Sequence, residues 1–203
     1  MTPEIVRKYG TDHCFAIEPI SDSIFKRISG KSFQNDCTTP RSQLRYLKVL
    51  HYNEEGKILT GEMICHKDIS HDLIDIFRRL YEAKYPISRM VLIDNYNADD
   101  EASMKDNNST CFNYRNVAGS KSKSKHSLGR AIDINPLYNP YVKRRTNGAL
   151  TVRPEGAAKY ADRSRSFAMK IDRNDLCYKE FTKHGFTWGG NWRTVKDYQH
   201  FEK

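Results

Sequence analysis

Side chains that hold metals and move protons gather at two places in this 203-residue chain. The first is Ser124-Lys125-His126-Ser127-Leu128-Gly129-Arg130-Ala131-Ile132-Asp133. A strand over 130–135 would put Ile132 and Ile134 on one face and Ala131, Asp133 and Asn135 on the other. A carboxylate bracketed by core-facing isoleucines is half-buried and costly unless it meets a cation or several donors. His126 lies seven residues before Asp133, which on a continuous strand is the opposite face. Gly129 supplies a bend that can bring the two together.

The second place is Trp188-Gly189-Gly190-Asn191-Trp192, followed by Asp197-Tyr198-Gln199-His200-Phe201-Glu202. Asp197 and His200 are three apart, so they converge on a helical turn or a turn–strand junction, not along a flat strand. His126, Asp133 and His200 together offer two imidazoles and one carboxylate, which leaves the fourth tetrahedral position of a catalytic zinc ion to water. Asp197 would then be the free carboxylate near that water. The same residues admit a plainer alternative: a loop histidine among lysines, a capping aspartate and a partly buried terminal histidine.

These groups need a scaffold, and hydropathy patterning supplies one. Thr2, Pro3 and Gly10 frame a short N-terminal helix, and a second helix is predicted over 22–29, ended by Gly30. Residues 43–53 read as extended, Asn53-Glu54-Glu55-Gly56 as a hairpin turn, and 57–65 as the returning strand. The clearest helix spans 68–84, with Ile69, Leu73, Ile76, Phe77, Leu80 and Tyr81 on one face and Pro86 closing it. Strands are predicted over 89–93 and 110–117, and a Ser/Lys-rich loop over 119–125. Residues 136–170 lack periodicity and read as a long surface excursion. A last helix over 174–184 ends at Gly185, and 186–188 and 197–202 are short closing strands. Helices and strands do not alternate as βαβ units. The expected class is therefore α+β, one domain over residues 1–203 with a small antiparallel sheet carrying the metal site and helices packed on it.

Composition narrows the class of partner. No run of apolar residues is long enough for a transmembrane helix. The five cysteines, Cys14, Cys37, Cys65, Cys111 and Cys177, are scattered and form no CxxC pair, so mostly buried free thiols are expected. There are 34 Lys+Arg against 25 Asp+Glu, a net charge of +9 that calls for an anionic partner. Residues 115–173 carry 14 Lys/Arg against 4 Asp/Glu, whereas the rest has 20 against 21, so the whole excess lies around the first motif. Nucleic acid would use Lys121, Lys123, Lys125, Lys143, Arg144 and Arg145, but no nucleic-acid motif accompanies them.

Ser-x-His-x-x-Gly-x-Ala-x-Asp over 124–133, followed by Asp197-x-x-His200, resembles the D-alanyl-D-alanine carboxypeptidase family of zinc metallopeptidases. Phe112-Asn113-Tyr114-Arg115, Ile134-Asn135-Pro136 and the Trp-Gly-Gly-x-Trp box resemble its VanY-like branch, and the likeness covers about residues 103–202. The resemblance implies Zn2+ held by His126, Asp133 and His200, with Asp197 as the catalytic carboxylate and Arg115 polarising the scissile carbonyl. It implies peptidoglycan stem peptides as substrate, hydrolysed as a D,D-carboxypeptidase. Many relatives have Glu where this chain has Asp197; Asp is similar to the endolysin-like branch that cuts L-Ala–D-Glu bonds, which is the alternative. A catalytically silent cell-wall binding protein is the alternative of another class, but no ligand is lost. A monomer is expected, with no nucleic acid and no membrane span. The expected location is the periplasm or cell envelope, any signal peptide being absent from this chain. Residues 1–99 match no motif and are expected to shape the substrate groove.

Overall fold

Alternation of apolar and polar side chains builds the first sheet. In the computed structural model, which describes residues 10–117 and 119–203, β1 (Ala16–Pro19), β2 (Leu44–Tyr52) and β3 (Ile58–His66) form an antiparallel sheet in that order. The predicted helix framed by Thr2 and Gly10 lies outside the described residues. The β2–β3 turn is the predicted one: Asn53 Oδ1 accepts from the amides of Glu55 and Lys57, and Gly56 takes φ +73°. The 22–29 helix is α1 (Asp22–Ile28), capped by Ser21.

α2 (Ser70–Glu82) buries Leu73, Ile76, Phe77 and Leu80 on one stripe, as its periodicity requires, and packs on β2. α3 (Asp100–Lys105), capped by Asp99, is too short to leave a periodic signature and was not predicted. α4 (Leu176–Lys183) is the last predicted helix, capped by Asp175 and packed on α2. One apolar cluster joins these layers, from Phe15, Leu47 and Phe77 to Ile132, Phe181 and Phe201. Mixed helices and small antiparallel sheets make the fold α+β, as expected.

Two three-stranded antiparallel sheets follow. β4 (Ala131–Asp133), β9 (His200–Glu202) and β7 (Thr187–Trp188) form one, in the order β4-β9-β7. β6 (Leu150–Arg153), β5 (Tyr141–Arg144) and β8 (Lys196–Asp197) form the other, in the order β6-β5-β8. The predicted closing strand 197–202 is thus broken at Tyr198–Gln199 and shared between two sheets. The 136–170 excursion is also more ordered than expected, since it contains the β5–β6 hairpin.

Two predicted strands are not strands. At 89–93 the side-chain amide of Asn108 does a neighbouring strand's work: its Oδ1 accepts from Val91 N (2.9 Å) and its Nδ2 donates to Val91 O (3.0 Å). Residues 110–117 are extended, but their amides pair with a succession of partners: Thr110 with Asp133, Phe112 with Ile64, Asn113 with His126 and Tyr114 with Ser32. No ladder can form along a segment whose neighbour changes every residue or two.

Candidate metal centre

The Ser124 motif folds into a cap, a turn and a strand. Ser124 Oγ accepts from the His126 amide and starts a 3-10 turn, Lys125–Leu128. Gly129 ends it in the left-handed region at φ +66°, and its carbonyl accepts from His66 N (2.8 Å). A Cβ on Gly129 would lie 2.7 Å from His66 N, so the backbone of β3 leaves no room for any other residue. Beyond this bend β4 runs antiparallel to β9, with Asp133 directly opposite His200 and Ala131 opposite Glu202.

The bend and the register bring the three predicted ligands together. His126 Nε2 lies 3.3 Å from Asp133 Oδ2 and 3.3 Å from His200 Nδ1, and His200 Nδ1 lies 3.1 Å from Asp133 Oδ1. All three are buried, and they are the only group of three or more metal-capable side chains so disposed among the described residues. Of the other histidines, His51 bonds to Ile87 O and His66 to Gln43, and neither joins a cluster.

The far nitrogen of each imidazole is committed elsewhere. His126 Nδ1 lies 2.6 Å from Cys111 O and His200 Nε2 lies 3.1 Å from Glu202 Oε2. An N–H donated to each acceptor leaves His126 Nε2 and His200 Nδ1 as the lone pairs that face Asp133, the orientation a metal site needs. Glu202 was not singled out from sequence. Its signal was there, because positions i and i+2 on a strand share a face and Glu202 follows His200 by two.

Charge in the cluster is strongly skewed. Burial pushes against ionisation of Asp133, but the two imidazoles, His126 foremost, hold its carboxyl well below the usual range. Burial also opposes a charge on His200, yet the hydrogen bonds to Asp133 and Glu202 outweigh it and raise the imidazole to about 10. Two imidazole nitrogens and one carboxylate are a borderline-soft donor set suited to zinc, and the fold fits that ion.

Asp197 ends β8, opposite Tyr141 on β5, and the Tyr198–Gln199 bend carries the chain on to His200. This is the turn–strand junction expected from their spacing. Its Oδ1 is buried and has no hydrogen-bond partner among the described residues. Burial, with Asp133 nearby and against the pull of His200, pushes its carboxyl up to about 6. The Gly-Gly box makes this closeness possible: a Cβ on Gly189 would lie 2.6 Å from Asp197 O and 3.3 Å from His200 Cβ. Trp188 is buried, donates from Nε1 to Tyr198 O (2.9 Å) and stacks on Phe201; Trp192 instead sits beside the site, its ring 5.3 Å from that of His200.

Arg115 is tied to the same motif through its backbone. Its amide donates to Ser127 Oγ (2.9 Å) and its carbonyl accepts from Ser124 N (3.0 Å). Its guanidinium forms an ion pair with Asp100, which Asn113 Nδ2 also contacts at 2.9 Å. Ser103 and Asn108 are buried and bonded to each other, so both serve the loop framework. All five cysteines are free thiols, three of them buried, as expected.

No curated protein and no solved structure matches the chain. Residues 118–203 match the family described as D-alanyl-D-alanine carboxypeptidase. The matched segment contains His126, Asp133, Asp197 and His200 and begins three residues after Arg115. It is the segment that carries the whole buried cluster, and over these residues the chain is similar to that family of peptidases.

Proposed function

We propose that this chain is a zinc-dependent peptidase that hydrolyses peptidoglycan stem peptides, acting in the periplasm or cell envelope. The observation that carries this reading is a buried carboxylate oxygen, Asp197 Oδ1, without a hydrogen-bond partner among the described residues and beside a cluster of two imidazoles and one carboxylate. His126, Asp133 and His200 would hold the ion, and Glu202 and the Cys111 carbonyl would keep the imidazoles in the ligating tautomer. When bound, zinc would polarise the scissile carbonyl and lower the pKa of its water from about 15.7 to about 7.

Asp197 acts first as base and then as acid. With a carboxyl near 6 it is ionised at neutral pH, accepts the proton of the attacking water and hands it to the leaving amine. Arg115, held by Asp100, donates to the carbonyl oxygen as negative charge develops there. The D-Ala–D-Ala carboxypeptidase reaction is the leading assignment. Asp at 197, one methylene shorter than Glu, favours L-Ala–D-Glu endopeptidase cleavage as the second.

Metal analysis followed by mass spectrometry of digested muropeptides tests the proposal. Loss of one C-terminal D-Ala means carboxypeptidase, and separation of L-Ala from the rest of the stem means endopeptidase. Protein that takes up no zinc, or zinc-loaded protein that cleaves neither bond, would overturn it.

A further inference from the structure

The β5–β6 hairpin is joined to the site through strand pairing. Tyr141 is the register partner of both Asp197 on β8 and Arg153 on β6, and Lys143 is paired with Thr151. Paired residues in an antiparallel sheet share a face, and so do residues two apart. Asp197, Tyr141, Arg153, Lys143 and Thr151 therefore lie on one face. Arg145 joins them, since its Nε donates to Thr151 Oγ1 (2.7 Å).

This face is cationic and unpaired. Arg153, Lys143 and Arg145 are exposed, and none forms an ion pair with a carboxylate among the described residues. Between Asp133 and Glu155 the chain has Lys143, Arg144, Arg145 and Arg153 and no acidic residue. At about 3.4 Å per residue, Lys143 and Arg145 stand about 7 and about 14 Å beyond the position opposite Asp197. An extended peptide advances about 3.3–3.6 Å per residue, so the row matches about four residues of a bound chain.

We propose that Arg153, Lys143 and Arg145 form a subsite that binds the free carboxylates of the peptide whose scissile bond lies at Asp197. The proposal rests on the peptidase reading and adds its selectivity: a substrate with its carboxylates free is preferred over one with them amidated. The row acts on binding, with the bond-breaking groups elsewhere.

The probes are a stem peptide with the D-Glu α-carboxylate free and the same peptide with that group amidated. With zinc-loaded protein, Lys143→Gln/Arg145→Gln should raise KM for the free acid about tenfold, leave kcat within about twofold, and barely change KM for the amide. Equal effects on both peptides, or none, would overturn the subsite. Direct binding of both peptides to Asp197→Asn protein separates the two claims. A preference for the free acid that the double variant abolishes supports the subsite even if the wild type cleaves nothing, in which case only the peptidase reading fails. Equal or absent binding of the two peptides overturns the subsite, as does duplex DNA binding lost in the double variant with no peptide preference.

Discussion

Asp133 and His200 face each other across β4 and β9, with Asp133 Oδ1 3.1 Å from His200 Nδ1. The two residues are 67 positions apart in the chain, so the pair exists only in the correct register. A slip of one residue would turn each side chain to the opposite face and empty the cluster. Phe201, fully buried opposite Ile132, fixes that register from the other face.

Glu202 controls the orientation of His200 and hence metal affinity. Glu202→Ala should weaken zinc binding about 10- to 100-fold, as loss of such an outer hydrogen bond does at other sites, while Glu202→Gln should cost less. Competition against a chromophoric chelator measures this. Unchanged affinity in Glu202→Ala would show that the carboxylate has no part in the site.

Zinc should stabilise the fold by mass action. At a free concentration 100 times its Kd, bound zinc contributes about 2.7 kcal/mol, which a thermal melt resolves. The gain should vanish in Asp133→Ala and return to baseline in wild type with a chelator. A gain of equal size in Asp133→Ala would point to binding elsewhere.

Gly129 and Gly56 allow two effects to be separated. Both have positive φ, but a Cβ at Gly56 meets nothing within 4 Å, whereas one at Gly129 meets His66 N at 2.7 Å. Gly56→Ala should cost about 1 kcal/mol from backbone strain alone, and Gly129→Ala about 3 kcal/mol or more. Urea unfolding gives both values; equal costs would mean that β3 yields to the added methyl.

Much of the site was legible in sequence because its parts are local. Gly129 as the bend and Asp133 on a strand both follow from residue type and spacing, and both hold, whereas the Ser124 cap emerges only in the folded chain. Glu202 is legible by the two-residue period of a strand, which puts it on the face of His200. What sequence could not show is pairing between distant segments. Asn108 replaces a strand beside Val91, and β5–β6, with Lys143 and Arg144 in it, lacks the apolar alternation that marks a half-buried hairpin.

The cap of α4 should make stability depend on pH. Burial pushes the Asp175 carboxyl up to about 6 from an ordinary value of 3.8, against the hydrogen bonds from Cys177 N and Tyr85 Oη. Folded protein therefore binds this proton more tightly than unfolded protein between about pH 4 and 6. The associated stability is full below about pH 4 and is lost as pH rises through 6, an effect of about 1–3 kcal/mol. Asp175→Asn keeps the cap and removes the charge, so its gain over wild type should be largest above pH 7 and fade toward pH 4. A gain independent of pH would contradict this.

The central claim is that Asp197 moves the proton while His126, Asp133 and His200 hold zinc. The direct measurement is zinc content and stem-peptide hydrolysis of Asp197→Asn, assayed on the same preparation. The prediction is one zinc per chain as in wild type, with kcat reduced on the order of 100- to 10,000-fold. Full zinc occupancy with undiminished hydrolysis would contradict it.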